Sequence, residues 1–181
     1  EILRTHLTET ISRARVVSSP LLRARATAEL LGSRRVVLDS RFSERSFGPF
    51  EGRFLDDVRS EKARLGLPAN DVALGWGTTA GVERQDIVGE RMFAGLVAQF
   101  DETDDDECLV IVSHAAALHI LCSRFWGLPE SALAIFSLRP ASYMRLWAEP
   151  EWSGAQLLEL WMNPLAQPSW LPPAKGLVTA P

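Results

Sequence analysis

Two segments of the chain place residues suited to anion chemistry directly after a short apolar strand. In the first, a Ser-Ser-Pro corner at 18–20 runs into a helical pattern that carries Arg23 one turn in. In the second, an apolar run at 108–113 ends beside His114 and another helical pattern follows. Helix N-terminal N–H groups and the planar guanidinium both suit phosphate oxygens. Ligands of open α/β sheets bind outside the carboxyl ends of the strands, so we expect Arg23 and His114 to share one crevice.

The elements that must position these residues alternate between apolar strands and amphipathic helices, which predicts an α/β fold. Residues 40–52 have neither period and contain Gly and Pro, which predicts an ordered loop. Helices are predicted over 1–13, 20–32, 54–65, 83–100 and 115–126, and strands over 15–18, 35–39, 108–113, 133–138, 142–148 and 155–162.

Length and composition indicate one globular domain over residues 1–162, followed by a Pro-rich tail over 163–181 that holds five of the chain's eleven prolines. The net charge of -4 gives no basic footprint, so a nucleic-acid partner is not expected. No apolar run approaches the length of a membrane span and no signal peptide is visible. We therefore expect no membrane partner and a cytoplasmic location.

Cysteine and acidic residues do not indicate a metal site. Cys108 and Cys122 fall on a predicted strand and helix, where we interpret them as reduced core residues. The histidines and cysteines are too few and wrongly spaced for zinc. The acidic run at 101–107 lacks the spacing of an EF-hand and is typical of a solvated turn.

Four segments, in this order, resemble motifs of the histidine phosphatase superfamily, which includes the cofactor-dependent phosphoglycerate mutases. Residues 18–28 are similar to its Ser-Ser-Pro-Leu-x-Arg-Ala-x-x-Thr-Ala element, and 41–52 to its Leu-x-Glu-x-x-Phe-Gly-x-Trp-Glu-Gly loop. Gly89-Glu90 is interpreted as the Gly-Glu-Ser that often opens the next helix, and 112–114 is similar to Val-Ser-His. The resemblance is collinear over residues 1 to about 148. It implies a three-layer α/β/α sandwich and phosphoryl transfer through a phosphohistidine, with no metal and no other cofactor.

The resemblance also implies a role for each candidate site residue. Arg23 and His114 would hold the phosphate oxygens, and Glu44 would protonate the leaving group, which needs a raised carboxyl pKa. Arg45 would bind substrate, as would the N–H of Ala115, which stands where the family has glycine. The residues alone leave alternatives open: an ion pair of Glu44 with Arg41 or Arg45, a backbone-bonded His114, and a solvated Arg45.

The family's Arg-His-Gly, which carries the attacking histidine at the end of its first strand, does not occur in this chain. Arg4-Thr5-His6 has the wrong order, and only eleven residues separate His6 from Ser18. A crossover between parallel strands needs about a dozen residues or more. His6 is therefore predicted on a helix, and the fold is predicted with its first strand absent from this chain. His119, five residues after His114, is predicted to be structural.

The function predicted from this resemblance is a phosphatase whose complete form contains the missing motif. A non-catalytic derivative that binds phosphorylated ligands is the alternative, and a phosphoglycerate mutase is the second. The expected partner is a small phosphomonoester or inorganic phosphate, with a homo-oligomer left open. Trp76 is interpreted as packed rather than in contact with substrate. The insert at 53–82 offers four cations that are interpreted as a solvated face, namely Arg53, Arg59, Lys62 and Arg64.

Overall fold

Three parallel strands form the centre of the fold in the computed structural model, which describes residues 2–33, 35–68, 75–104, 107–127, 140–148 and 155–161. They are β1 (Ala14–Ser18), β2 (Val36–Leu38) and β3 (Cys108–Val112). β1 lies between the other two, with Val17 opposite Val37 on one side and Ile111 on the other. This parallel sheet confirms the predicted α/β class.

Helices cover both faces of the sheet because successive side chains of a strand point to opposite sides. Val16 packs into a core with α1 (Ile2–Ser12) and α2 (Leu22–Leu30). Val17 packs into a second core with the two helices that follow the insert, α4 (Gln85–Asp101) and α5 (Ala115–Trp126). The sheet therefore lies between two helical layers, and His6 lies on α1 as predicted.

The loop at 40–52 is ordered, as its composition predicts. It contains two short 3-10 turns, Ser40–Phe42 and Gly48–Phe50, and leads into α3 (Leu55–Arg64). The helix predicted over 83–100 is confirmed as α4, which begins at Gln85, so the match of Gly89-Glu90 to a motif that opens this helix is wrong. Gly89 lies one turn inside α4, where a side chain would touch Ile120.

The insert packs against the loop rather than standing in solvent. Trp76 is fully buried, as predicted, and its ring centroid lies 4.6 Å from that of Phe50. The predicted solvated face is wrong for Lys62, which is 0% exposed and has its Nζ 4.9 Å from the Trp76 ring. The aliphatic stem of lysine can pack against apolar surface, and its cation is attracted by the indole face. Insert and loop thus form one small core.

A two-stranded antiparallel sheet, β4 (Tyr143–Ala148) paired with β5 (Ala155–Trp161), completes the described structure. The strand predicted over 133–138 and the tail over 163–181 lie outside the described residues. Cys122 is buried, whereas Cys108 at the start of β3 is exposed, so its assignment to the core is wrong. Within the described residues, no helix has the length and apolar character needed to cross a membrane.

Candidate active site at the carboxyl ends of the strands

Backbone hydrogen bonds join the ends of the three parallel strands at Ser18 and Ser19. The N–H of Ser19 donates to the Val112 carbonyl at 2.9 Å, and the N–H of Asp39 donates to the Ser18 carbonyl at 3.0 Å. Ser19 is fully buried, and its hydroxyl oxygen accepts the N–H of Leu21 at 3.2 Å as the chain turns into α2. These contacts fix the corner from which Arg23 projects.

Arg23 and His114 meet in this crevice, as the sequence predicts. The Arg23 Nε–H donates to Nδ1 of His114 at 3.1 Å. Because Nδ1 accepts, the neutral ring carries its hydrogen on Nε2, which lies 2.9 Å from the Ser19 hydroxyl. His114 is 7% exposed, and burial together with the charges of Arg23 and Arg91 lowers its pKa to about 4. The imidazole is therefore neutral at physiological pH, and its partners are side chains.

The rest of the Arg23 guanidinium faces solvent. Among the residues that the structure describes, its terminal Nη groups meet no acceptor. Two N–H-bearing atoms with a fixed planar geometry are thereby available to oxygens of a bound anion.

Glu44 approaches the same place from the loop. Its Oε1 accepts the backbone N–H of Arg45 at 2.9 Å and that of Ala117 at 3.0 Å. Burial raises the pKa of Glu44 above its ordinary value, although these N–H groups, that of Ala116 and the charge of Arg23 act in the opposite direction. The first turn of α5 thus holds a carboxyl group that gains a proton more readily than an exposed glutamate does.

No side-chain ion pair neutralises Glu44 in the described part of the chain. The guanidinium of Arg41 pairs with Asp39, at 2.6 Å from Nη2 to Oδ2. Arg45 is 1% exposed and donates from Nε to the Glu83 carbonyl at 2.7 Å, so it is not solvated. Ala115 is exposed at the first position of α5, directly after His114.

The sequence analysis missed Glu83 and Arg91. Arg91 binds both carboxylate oxygens of Glu83, from Nε at 2.8 Å and from Nη2 at 2.9 Å. Burial works to raise the pKa of Glu83, but the hydrogen bonds from Arg91 and Ser46 hold it below its ordinary value. Glu83 lies two residues before α4, and its spacing of eight residues from Arg91 gives no local pattern that predicts their ion pair.

The arrangement brings a guanidinium, a neutral imidazole and a carboxyl group of raised pKa together at the first turn of α5. Arg23 offers positive charge and open Nη groups, the neutral His114 orients its Nε group, and Glu44, held by the N–H of Ala117, supplies an acid of raised pKa. The two other histidines lie elsewhere: His6 on α1, and His119 buried within α5. This set of groups suits transfer of a phosphoryl group to or from an oxygen.

The family model of the histidine phosphatase superfamily, branch 1, matches residues 1–160. The chain is 33% identical over 134 residues to a protein of Erwinia tasmaniensis named probable phosphoglycerate mutase GpmB. The aligned residues make up 72% of this chain and 61% of that relative. The chain thus spans about three fifths of the length of this curated relative.

Solved structures show the same architecture. A mycobacterial glucosyl-3-phosphoglycerate phosphatase in complex with inorganic phosphate is 25% identical, with a TM-score of 0.69 over 90% of this chain and 83% of that one. A protein described as mycobacterial hydrolase 2 is 26% identical, with a TM-score of 0.70 over 93% of this chain and 78% of that one.

Proposed function

Because the chain belongs to the histidine phosphatase superfamily, we propose that its complete form hydrolyses phosphomonoesters through a phosphohistidine intermediate. The observation that carries this proposal is the convergence of Arg23, His114 and Glu44 on the first turn of α5. A cation and a neutral imidazole lie beside an acid of raised pKa, which matches the needs of phosphoryl transfer to water.

Each group has a distinct part in the proposed reaction. Arg23 and His114 hold the non-bridging oxygens while the imidazole of a second histidine attacks phosphorus and the ester P–O bond breaks. Glu44 gives its proton to the departing alkoxide. The resulting carboxylate then takes a proton from water, whose oxygen attacks phosphorus, breaks the P–N bond and releases phosphate.

We place the attacking histidine on a strand that pairs with the second edge of β3. Among the described residues β1 is the one strand that pairs with β3, and four of the five β3 residues are only half-buried. A parallel strand covered by helices on both faces is ordinarily buried. A strand at this edge would end beside Ser113 and His114, where its carboxyl-terminal residue would face the clamp.

The phosphatase is favoured over a mutase by the cations of the insert. Arg59 pairs with Asp56 at 2.9 Å and Arg64 pairs with Glu61 at 2.7 Å. Lys62 is buried against Trp76. A mutase must also bind the second acidic group of a phosphorylated three-carbon acid; these three cations are already engaged, and the fourth, Arg53, lies over the Phe50 ring at 5.6 Å from its centroid.

The second candidate function is phosphate binding without catalysis. It is favoured because, among the described residues that lie at the site, none is a histidine free to attack phosphorus: His114 is bonded to Arg23. An assay with p-nitrophenyl phosphate separates the two functions. We expect no turnover from the 181-residue chain and metal-independent turnover from a form extended upstream through an Arg-His-Gly strand. An inactive extended form that still binds phosphate would favour the non-catalytic function.

Acid-labile labelling by a radioactive substrate tests for the phosphohistidine. We expect it only in the extended form, and its loss when the added histidine becomes alanine. Strong turnover by the short chain that His6→Ala abolishes would contradict the proposed place of the nucleophile.

A further inference from the structure

Arg91 holds the loop around Glu44 through an unusual number of contacts. Its Nη1 donates to the carbonyls of Arg41 at 2.7 Å and Ser43 at 2.8 Å. Its Nη2 donates to the carbonyl of Glu44 itself at 3.1 Å. One guanidinium therefore binds three carbonyls within four consecutive residues and fixes the path of the backbone that carries Glu44.

Glu83 binds the same loop two residues after Glu44, at Ser46. Its N–H donates to the Ser46 carbonyl at 2.8 Å, and its Oε2 accepts the Ser46 N–H at 3.0 Å. The carboxylate also binds Arg91 at two atoms, and the side chains are only 21% and 20% exposed for Arg91 and Glu83 respectively. The ion pair thus links the contacts of Arg91 with residues 41–44 to the contacts of Glu83 with Ser46.

The helix beneath this pair is packed into the core. Val88 and Met92, which flank Arg91 on α4, are fully buried in the core that also contains Phe42 from the loop. The Ser113 hydroxyl donates to the Phe42 carbonyl at 2.7 Å and ties the loop to the end of β3. Because α4 is anchored in the core on both sides of Arg91, the hydrogen bonds of Arg91 hold the loop backbone in place relative to that core.

We propose that Arg91 and Glu83 are positioning residues that hold the Glu44 carboxyl group on the first turn of α5, where it acts as the proton donor. The proposal rests on the proposed function, because it is the phosphatase reaction that assigns Glu44 the part of proton donor. Two forces act on Glu44: burial disfavours its charged form, while water outside the site would solvate it. Without the contacts that Arg91 and Glu83 make with residues 41–46, the loop can relax and carry the Glu44 carboxylate into solvent.

The test follows the titration of Glu44 directly in the 181-residue chain, so it needs no turnover. Carbon-13 NMR of the chain labelled at glutamate Cδ gives the midpoint, with Glu44→Gln to assign the signal. Arg91→Lys keeps the positive charge, but a lysine cannot bind the three loop carbonyls and the Glu83 carboxylate at once. Glu83→Gln removes the negative charge that pairs with Arg91. Arg84→Ala is the matched control, since exposed Arg84 on the same segment pairs with Asp86 at 2.6 Å.

In both variants we expect the pKa of Glu44 to fall toward the ordinary glutamate value of 4.5, with Arg84→Ala unchanged. An unchanged midpoint in folded Arg91→Lys or Glu83→Gln would overturn the positioning role. If Arg91→Lys does not fold, Glu83→Gln decides the matter. Thermal melts of each variant establish whether it is folded.

A second arm uses the extended, active form and two substrates. We expect Arg91→Lys to lower kcat for an alkyl phosphate by about 10²-fold, with p-nitrophenyl phosphate and both KM values little changed. An equal loss for both substrates would overturn the positioning role and leave the phosphatase standing. An inactive extended parent would contradict the proposed function, while the titration still decides whether Arg91 positions Glu44.

Discussion

Arg23 donates a hydrogen bond to the imidazole of His114, with 3.1 Å between Nε and Nδ1. Burial lowers the pKa of His114 to about 4, and the positive charges of Arg23 and Arg91 act in the same direction. The pair therefore carries one positive charge, on Arg23, while both ring nitrogens of the neutral His114 are bonded to side chains. A bound phosphate dianion would act in the opposite direction, because its negative charge favours the protonated form of His114.

The first prediction concerns stability against pH. The pKa of His114 is about 4 in the folded chain against an ordinary value of 6.5, so the unfolded chain binds more protons between these values. The contribution of His114 to the free energy of unfolding is thus complete above pH 6.5 and is lost as the pH falls through 4. A shift of this size corresponds to about 3 kcal/mol.

Urea unfolding at a series of pH values measures this contribution. Carboxylates also titrate in acid, so the quantity of interest is the difference between the wild type and His114→Gln. We expect the wild type to lose more stability than the variant between neutral pH and the lower end of the series. Parallel curves would show that His114 is not held neutral by the fold.

The second prediction concerns anion binding. If the open Nη groups of Arg23 and the ring of His114 form a clamp, phosphate or vanadate stabilises the chain even without a nucleophile. At a concentration of one hundred times Kd the gain is about 2.7 kcal/mol, or roughly 5–10 °C in Tm for a chain of this size. Thermal melts with and without millimolar phosphate measure it.

Two variants make this measurement specific. The double variant Arg23→Ala, His114→Ala is expected to abolish the shift. Arg25→Ala is expected to keep it, because Arg25 lies on the same helix but is exposed and pairs with Glu29 at 2.8 Å. A shift that survives in the double variant rules the clamp out.

The parts of the site that sequence could predict are local ones. The corner before Arg23 and the one before His114 each follow from a change of hydrophobic period within a few residues, and the structure places both as predicted. Lys62 and Arg91 could not be assigned in this way. Lys62 is buried by Trp76, and Arg91 reaches carbonyls about fifty residues away, so each depends on how the insert and α4 pack against the loop.

The third prediction tests the contact between insert and loop. Gly48 has φ +50°, and a Cβ on it would lie 2.0 Å from the Gly81 carbonyl oxygen. Gly52 has φ +74° and open space around it, so it is a matched control that shares the backbone strain but not the collision. We expect Gly52→Ala to cost about 1–2 kcal/mol of unfolding free energy and Gly48→Ala about 1–3 kcal/mol more.

Urea unfolding compares the two alanine variants with the wild type. Because Gly48 lies only four residues after Glu44, the collision in Gly48→Ala should also shift the loop and lower the pKa of Glu44. If both variants lose the same stability, the insert is free to move away from the loop, and the close approach of Gly48 to Gly81 does not hold in solution.

The last prediction assigns the leaving-group step to Glu44 in the extended, active form. An alkoxide needs a proton to depart, whereas p-nitrophenolate leaves without one, so Glu44→Gln should slow alkyl phosphates by about 10²–10⁴-fold and p-nitrophenyl phosphate far less. Since the acid must be protonated, and burial raises the pKa of Glu44, kcat for the alkyl substrate should fall as the pH rises through that pKa. This limb should vanish in Glu44→Gln. Rate profiles for both substrates, measured side by side, check the assignment, and an equal loss for the two would mean that Glu44 serves only to close the first turn of α5.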